Sequence, residues 1–389
     1  MRTDELFWSE AKGWSRREPT PARSIGAEEI DLVLYFGIRE ALEGGARYFE
    51  LREMFPKAHI VGCSTGGQIH NNDVNDDEIA AAALSFEATN IRLACETARS
   101  SERSRACGDA IGRSLAAPDL AGIFVLSDGL NINGSELVAG ITGVVGERVP
   151  VTGGLAGDGA QFKETLVGAD CPPRKHTVAA VGFYGSAIRI GHGSAGGWDE
   201  FGPRRRITRS AGNVLYALDS APALDLYERY LGEEEAKGLP GTALLFPLRI
   251  YNPDQPQHDL VRTVLSVDRN ARSMTFAGDM PEGWVAQLMR GNFDRLAAGA
   301  GEAARQAAAD IAQYHEGEGV AVLVSCIGRR LLMGQRTTEE VEAVGAEFGA
   351  RIPRLGFYSY GEISPHAASG VCELHNQTMT ITAITETTG

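Results

Sequence analysis

The sequence predicts an α/β fold of mixed, α+β character: two domains of sheet covered by helices, built on repeated strand-helix-strand units. Three observations point there. A glycine-rich segment, Gly62-Cys63-Ser64-Thr65-Gly66-Gly67-Gln68-Ile69, returns near the C-terminus as Gly356-Phe357-Tyr358-Ser359-Tyr360-Gly361-Glu362-Ile363, and both read G-x-x-[ST]-x-G-[EQ]-I. Each copy closes the same run: an apolar strand, a helical stretch, then a short second strand entered through Pro56 or Pro353. A looser third copy lies between them, from Gly122-Ile123-Phe124-Val125-Leu126-Ser127 through a helix to Pro150-Val151-Thr152-Gly153-Gly154-Leu155-Ala156-Gly157-Asp158. Parallel strands joined by a helix cross over right-handed. Their loops gather at the carboxyl ends of the strands, where open sheets bind ligands.

The elements follow in order. Residues 1–29 are polar and rich in Pro and Arg, and read as a lead-in segment. A first domain is expected over 30–200, with a strand at 79–86 between the first two units. The runs Val178-Ala179-Ala180-Val181 and Ile188-Arg189-Ile190 read as a hairpin turning at Gly185-Ser186. The glycine-rich break at 191–198 precedes a second domain over 201–389. Apolar positions at helical spacing from Asn292 to His315 predict a long helix, with His315 as a charge at its C-terminal end. The alternation Thr378-Met379-Thr380-Ile381-Thr382-Ala383-Ile384 predicts a terminal strand.

Composition narrows the function. The 389 residues carry 37 basic and 51 acidic side chains, a net of −14, which argues against nucleic-acid binding through a general basic field. No stretch has the apolar length of a membrane span, so no membrane insertion is expected. The start, Met1-Arg2-Thr3-Asp4-Glu5-Leu6-Phe7-Trp8, has no apolar core after a basic end and does not read as a signal peptide. Six scattered cysteines without C-x-x-C spacing read as reduced thiols of a cytoplasmic protein.

These motifs carry a resemblance. Gly62-Cys63-Ser64-Thr65, Leu126-Ser127-Asp128-Gly129 with Asn133-Gly134-Ser135-Glu136-Leu137, and Gly153-Gly154-Leu155-Ala156-Gly157-Asp158-Gly159 resemble the N-terminal domain of FIST proteins. Ser325-Cys326-Ile327-Gly328-Arg329, the 356–363 segment and Glu373-Leu374-His375-Asn376-Gln377-Thr378 resemble the C-terminal FIST domain. The resemblance implies a sensory, ligand-binding module of signal transduction. It implies a small ligand, either an amino-acid-like metabolite or, as in some free-standing bacterial members, haem that senses nitric oxide. It also implies a separate partner such as a histidine kinase.

The residues then suggest roles. At the glycine-rich strand ends, Cys63, Ser64, Thr65, Gly153, Gly154 and Asp158 are candidate ligand contacts. In the last unit Tyr358, Tyr360 and Glu362 alternate at period two, so one face of a strand would offer two tyrosines and a carboxylate to a polar or cationic ligand. His375 shares a face with Glu373 and Gln377; as a haem axial ligand it would be a metal-binding residue, with His192 as the alternative. Cys326 has Arg329 and Arg330 downstream, which could favour a thiolate. Asp128 and Asp158 each precede a glycine, and there a turn or cap role is favoured. Two other classes stay open: an enzyme using Cys63 or Cys326, although no complete catalytic constellation is present, and a protein-interaction scaffold without ligand.

Overall fold

A computed structural model describes residues 1–16, 25–311, 319–349 and 352–387. The strands form four sheets; three are mixed and share one plan, and the fourth is antiparallel. In the first sheet Leu32–Gly37 pairs parallel with His59–Ser64 and antiparallel with Glu78–Ser85. In the second, Leu120–Ser127 pairs parallel with Val151–Leu155 and antiparallel with Thr177–Tyr184. In the third, Gly319–Cys326 pairs parallel with Arg354–Ser359 and antiparallel with Met379–Glu386. Each parallel pair encloses a helix, Ala46–Met54, Gly134–Val145 or Thr338–Phe348, as the repeated strand-helix-strand pattern requires.

The three sheets exchange strands in a ring. Beyond its loop, the first unit sends Gln68–His70 to pair with Arg354–Ser359 of the third. The third sends Gly361–Pro365 to Val151–Leu155 of the second. The second sends Val167–Ala169 to His59–Ser64 of the first. All three pairings are antiparallel, so the units are related by a cyclic, threefold plan.

Both faces of these strands are covered, which is why they read as continuous apolar runs. In Leu32–Gly37, Leu32, Leu34 and Phe36 join a central core with Phe124, Leu126, Val322, Val324 and Phe357, so the inner faces of all three sheets meet. Val33 and Tyr35 point outward under helix Ala46–Met54 with Leu51 and Phe55. Gly62, Gly153 and Gly356 stand at equivalent places: a β-carbon on any of them would overlap a main-chain carbonyl oxygen across the parallel pair, that of Tyr35, Val125 or Leu323. The repeated glycine is therefore a packing requirement.

The fourth sheet is built from strands between Trp198 and Gly291 and has its own core with helix Ala223–Leu231. No helix among the described residues is long and apolar enough to cross a membrane.

Three expectations change. Residues 2–9 of the lead-in form an eight-residue strand paired along Glu78–Ser85, and Gly13–Arg16 extends that sheet. The hairpin at Gly185-Ser186 does not form. Thr177–Tyr184 stays in the second sheet, while Ile188–Ala195 crosses to pair with Met379–Glu386 in the third. Two of the four sheets also join strands from both sides of residue 200, where a domain division was expected. The long helix spans Phe293–Ile311, and His315 lies outside the described residues.

Candidate functional site

The ring of strand exchange brings the three glycine-rich loops together. Gly66 N–H donates to Tyr358 O at 2.7 Å, and Tyr358 N–H to Gly67 O at 2.9 Å. Tyr360 N–H donates to Leu155 O at 3.1 Å, and Gly157 N–H to Ser64 O at 2.9 Å. A cavity of about 440 Å³ opens at this junction. Thr65, Gly66 and Gly67 contribute from the first unit, Asp158–Gln161 from the second, and Ile327, Arg330 and Leu331 from the third. Arg39, Glu40 and Asp76 complete a wall that carries both signs of charge.

Local structure fixes these groups. Arg330 forms a two-pronged pair with Asp76, at 2.6 and 2.7 Å, and also donates to Gly66 O. Its guanidinium lies 5.2 Å from the Tyr358 ring centroid. Arg39 pairs with Glu40 at 2.9 Å and Glu43 at 3.3 Å, while its Nε has no hydrogen-bond partner. Burial raises the Glu40 carboxyl, but hydrogen bonds from its own backbone N–H, Arg39 and Gln161 together leave it below its ordinary pKa. Asp158 is inward and structural: its carboxylate accepts from the N–H groups of Phe162, Lys163 and Glu164, each at 2.9 Å, and from Tyr360 Oη.

A second cavity of about 290 Å³ shares Ile327 with the first. Cys326, Leu155, Tyr360, Phe162 and Phe276 line it, and Phe162 stacks on Tyr360 at 4.5 Å between centroids. Five large apolar side chains are exposed among the described residues: Phe49, Leu130, Phe162, Leu265 and Leu331. All but Phe49 line one of these two cavities.

The model of the FIST N domain matches residues 31–221, and that of the FIST C domain matches residues 223–365. The chain belongs to the FIST family. FIST domains are associated with signal-transduction sensing. No curated protein matches the chain.

Against this FIST frame the sequence candidates separate. Thr65 and Asp158 line the junction cavity, and Cys326 and Tyr360 the second one. Ser64 Oγ accepts from Leu166 N–H at 2.9 Å, and Gly153 and Gly154 are pressed against neighbouring strands; all three hold the fold. Tyr358, Tyr360 and Glu362 do not share a cavity face, because the strand bends at Tyr360 and the alternation breaks. Tyr358 Oη donates to Glu340 at 2.7 Å, Tyr360 turns to Asp158, and Glu362 is fully buried. Burial pushes the Glu362 carboxyl up to about 8, against opposing hydrogen bonds from Ser359 Oγ and Thr378.

The two candidate thiols are buried. Cys63 sits in the central core, and burial pushes its thiol well above the ordinary value. Cys326 is likewise buried and raised, with Glu362 adding to the effect. Arg329 does not serve it as a thiolate partner to any great extent: it is fully buried in an ion pair with Glu340 at 2.8 Å and also donates to Leu296 O and Gly196 O. His59 bonds Asp170 at 2.6 Å and forms no pair with Cys63.

His375 lies directly across from Glu362 in strand register, as neighbouring strands would place it. Its Nε2 bonds Ser364 O at 3.0 Å, and the ring stacks on His366 at 6.0 Å between centroids. Burial drives its pKa down to about 3. His375 lines neither of these cavities, and neither does His192, whose strand packs against helix Phe293–Ile311. Gln377 is buried at the bend into the last strand, bonded to Leu244 O.

Sequence reasoning missed Arg39, Glu40, Asp76 and Gln161. A signal existed for the first pair, since charged residues follow the end of the first strand directly, as Arg329 and Arg330 follow that of the third unit.

Proposed function

We propose that this chain is a cytoplasmic signal-transduction sensor whose small polar ligand sits in the cavity where the three loops meet. The observation that carries this is the wall itself: all three units contribute to it, and it sets arginines and carboxylates around an apolar patch of Ile38, Ile327 and Leu331. An amino-acid-like metabolite fits that pattern. Its carboxylate would meet Arg39 and the backbone of Gly66 and Gly67, its ammonium group Glu40 or Asp76, and its side chain the apolar patch. Because the loops hydrogen-bond one another across units, a ligand there would bias how the units sit, and a separate signalling protein such as a histidine kinase would read the change.

The experiment is calorimetry of the purified chain against the protein amino acids, together with Arg39→Gln and an absorption spectrum. Binding that weakens in Arg39→Gln with the fold intact supports the reading. Absence of binding, or a strong Soret band that Arg39→Gln leaves unchanged, overturns it in favour of haem.

A further inference from the structure

Away from the loop junction lies a third cavity of about 300 Å³. Helix Gly134–Val145, strands Leu248–Tyr251 and Asp259–Arg262, and the segment around Leu374 enclose it. Ser135, Leu260, Arg262, Trp284 and Leu374 are on its walls. Arg262 is 3% exposed. Its Nε donates to Asp279 O at 3.2 Å, and its Nη1 to Leu374 O at 3.0 Å and Val261 O at 3.3 Å. Those partners are all main-chain carbonyls. Among the described residues no carboxylate is within ion-pair distance of Arg262, and Nη2 has no hydrogen-bond partner.

Burial lowers the Arg262 pKa against the weaker attraction of Glu373 and Asp279, and a buried guanidinium with no carboxylate in contact is costly unless something completes it. The carboxylates on the same walls are already engaged: Asp279 Oδ1 accepts from Asn133 Nδ2 at 3.1 Å, and Glu373 Oε2 bonds His258 at 2.6 Å. A second orphan stands nearby. The Ser135 hydroxyl is buried without a partner, in the first turn of a 12-residue helix whose N-terminus adds positive potential. Two donors lacking acceptors, from distant parts of the chain, line one cavity whose carboxylates, Asp279 and Glu373, are bonded elsewhere and whose apolar wall is formed by Ile250, Leu260, Trp284 and Leu374.

We propose that this cavity binds a small organic monocarboxylate. Its carboxylate takes hydrogen bonds from Arg262 Nη2 and the Ser135 hydroxyl, and its apolar body lies against Leu260, Trp284 and Leu374. The inference is independent of the loop-junction reading, because the two cavities share no residue.

Phenylacetate is the probe, and its uncharged analogue phenylacetamide the control, both titrated calorimetrically into the full chain. Phenylacetate binds, and the amide binds at least about tenfold more weakly, the effect expected of a charge-assisted hydrogen bond. Arg262→Gln abolishes phenylacetate binding. Because Arg262 also holds three main-chain carbonyls, Ser135→Ala provides the second variant; it removes no bond of the native fold and weakens binding several-fold. Equal affinity for acid and amide, no phenylacetate binding at millimolar concentration, or unchanged affinity in both variants would overturn the proposal.

Discussion

Glu362 and Gln68 hold equivalent places in the third and first units, and each meets the hydroxyl three residues before it. Ser359 Oγ donates to Glu362 Oε1 at 2.7 Å, and Thr65 Oγ1 donates to the Gln68 side-chain oxygen at 2.9 Å when that oxygen also accepts from Ile38 N–H. The [ST]-x-x-[EQ] spacing of the repeated motif is thus a buried lock that shapes the turn. The first unit makes it with an amide and the third with a carboxyl raised to about 8.

That difference sets a pH dependence. Between the ordinary carboxyl pKa near 4.5 and about 8, Glu362 keeps its proton in the fold and loses it in the unfolded chain, so stability falls as pH rises through this window. Glu362→Gln, which copies the first unit, removes this contribution. Urea unfolding at several pH values checks it: the stability difference between variant and wild type should shift in the variant's favour from pH 5 to pH 8, by on the order of a few kcal/mol. A difference constant with pH would contradict the assignment.

The ion pair of Arg329 with Glu340 is fully buried, and Glu340 also accepts from Tyr358 Oη and Ser325 Oγ. Glu340→Ala strands a buried cation and is expected to cost about 3–5 kcal/mol. Tyr358→Phe removes a single hydrogen bond and is expected to cost about 1 kcal/mol. Denaturation midpoints of the two variants should differ accordingly, and equal small losses would show that the network carries little stability.

Glycine substitutions should change sign with position. Gly62→Ala, Gly153→Ala and Gly356→Ala each drive a methyl into a carbonyl oxygen and are expected to destabilise by about 1–3 kcal/mol or more. Gly143 lies inside helix Gly134–Val145 with nothing near its missing β-carbon, so Gly143→Ala should stabilise by roughly 0.5–1 kcal/mol. Thermal melts of the four variants measure this, and a tolerated Gly356→Ala would deny the glycine its packing role.

Thiol reactivity should follow exposure. Burial raises all three thiols, but Cys95 is exposed, whereas Cys63 and Cys326 are buried. Substoichiometric alkylation followed by peptide mapping is expected to mark Cys95 well before either. Preferential labelling of Cys326 would restore it as a functional thiol.

The strand-helix-strand units were legible because their signals are local: an apolar run, a helix, and a glycine forced by the facing strand. The ring of exchange was not. Gln68–His70 and Val167–Ala169 are three residues long, and their partners lie far away in sequence, so nothing near them names the sheet they join. Strand 2–9 was hidden because only Leu6 is buried along it, leaving no apolar alternation to read. The bend at Tyr360 broke the period-two argument that grouped Tyr358, Tyr360 and Glu362. Of the site itself, the loops were legible from their glycines, while Arg39 and Asp76 reach it only through the assembled fold.

The most direct test of the loop-junction site is hydrogen–deuterium exchange of the full chain with and without the amino acid that binds it most tightly. Protection concentrated in 65–67, 158–161 and 330–334 is the expected result. Binding with protection confined to other segments, such as 259–262 and 371–374, would contradict the account.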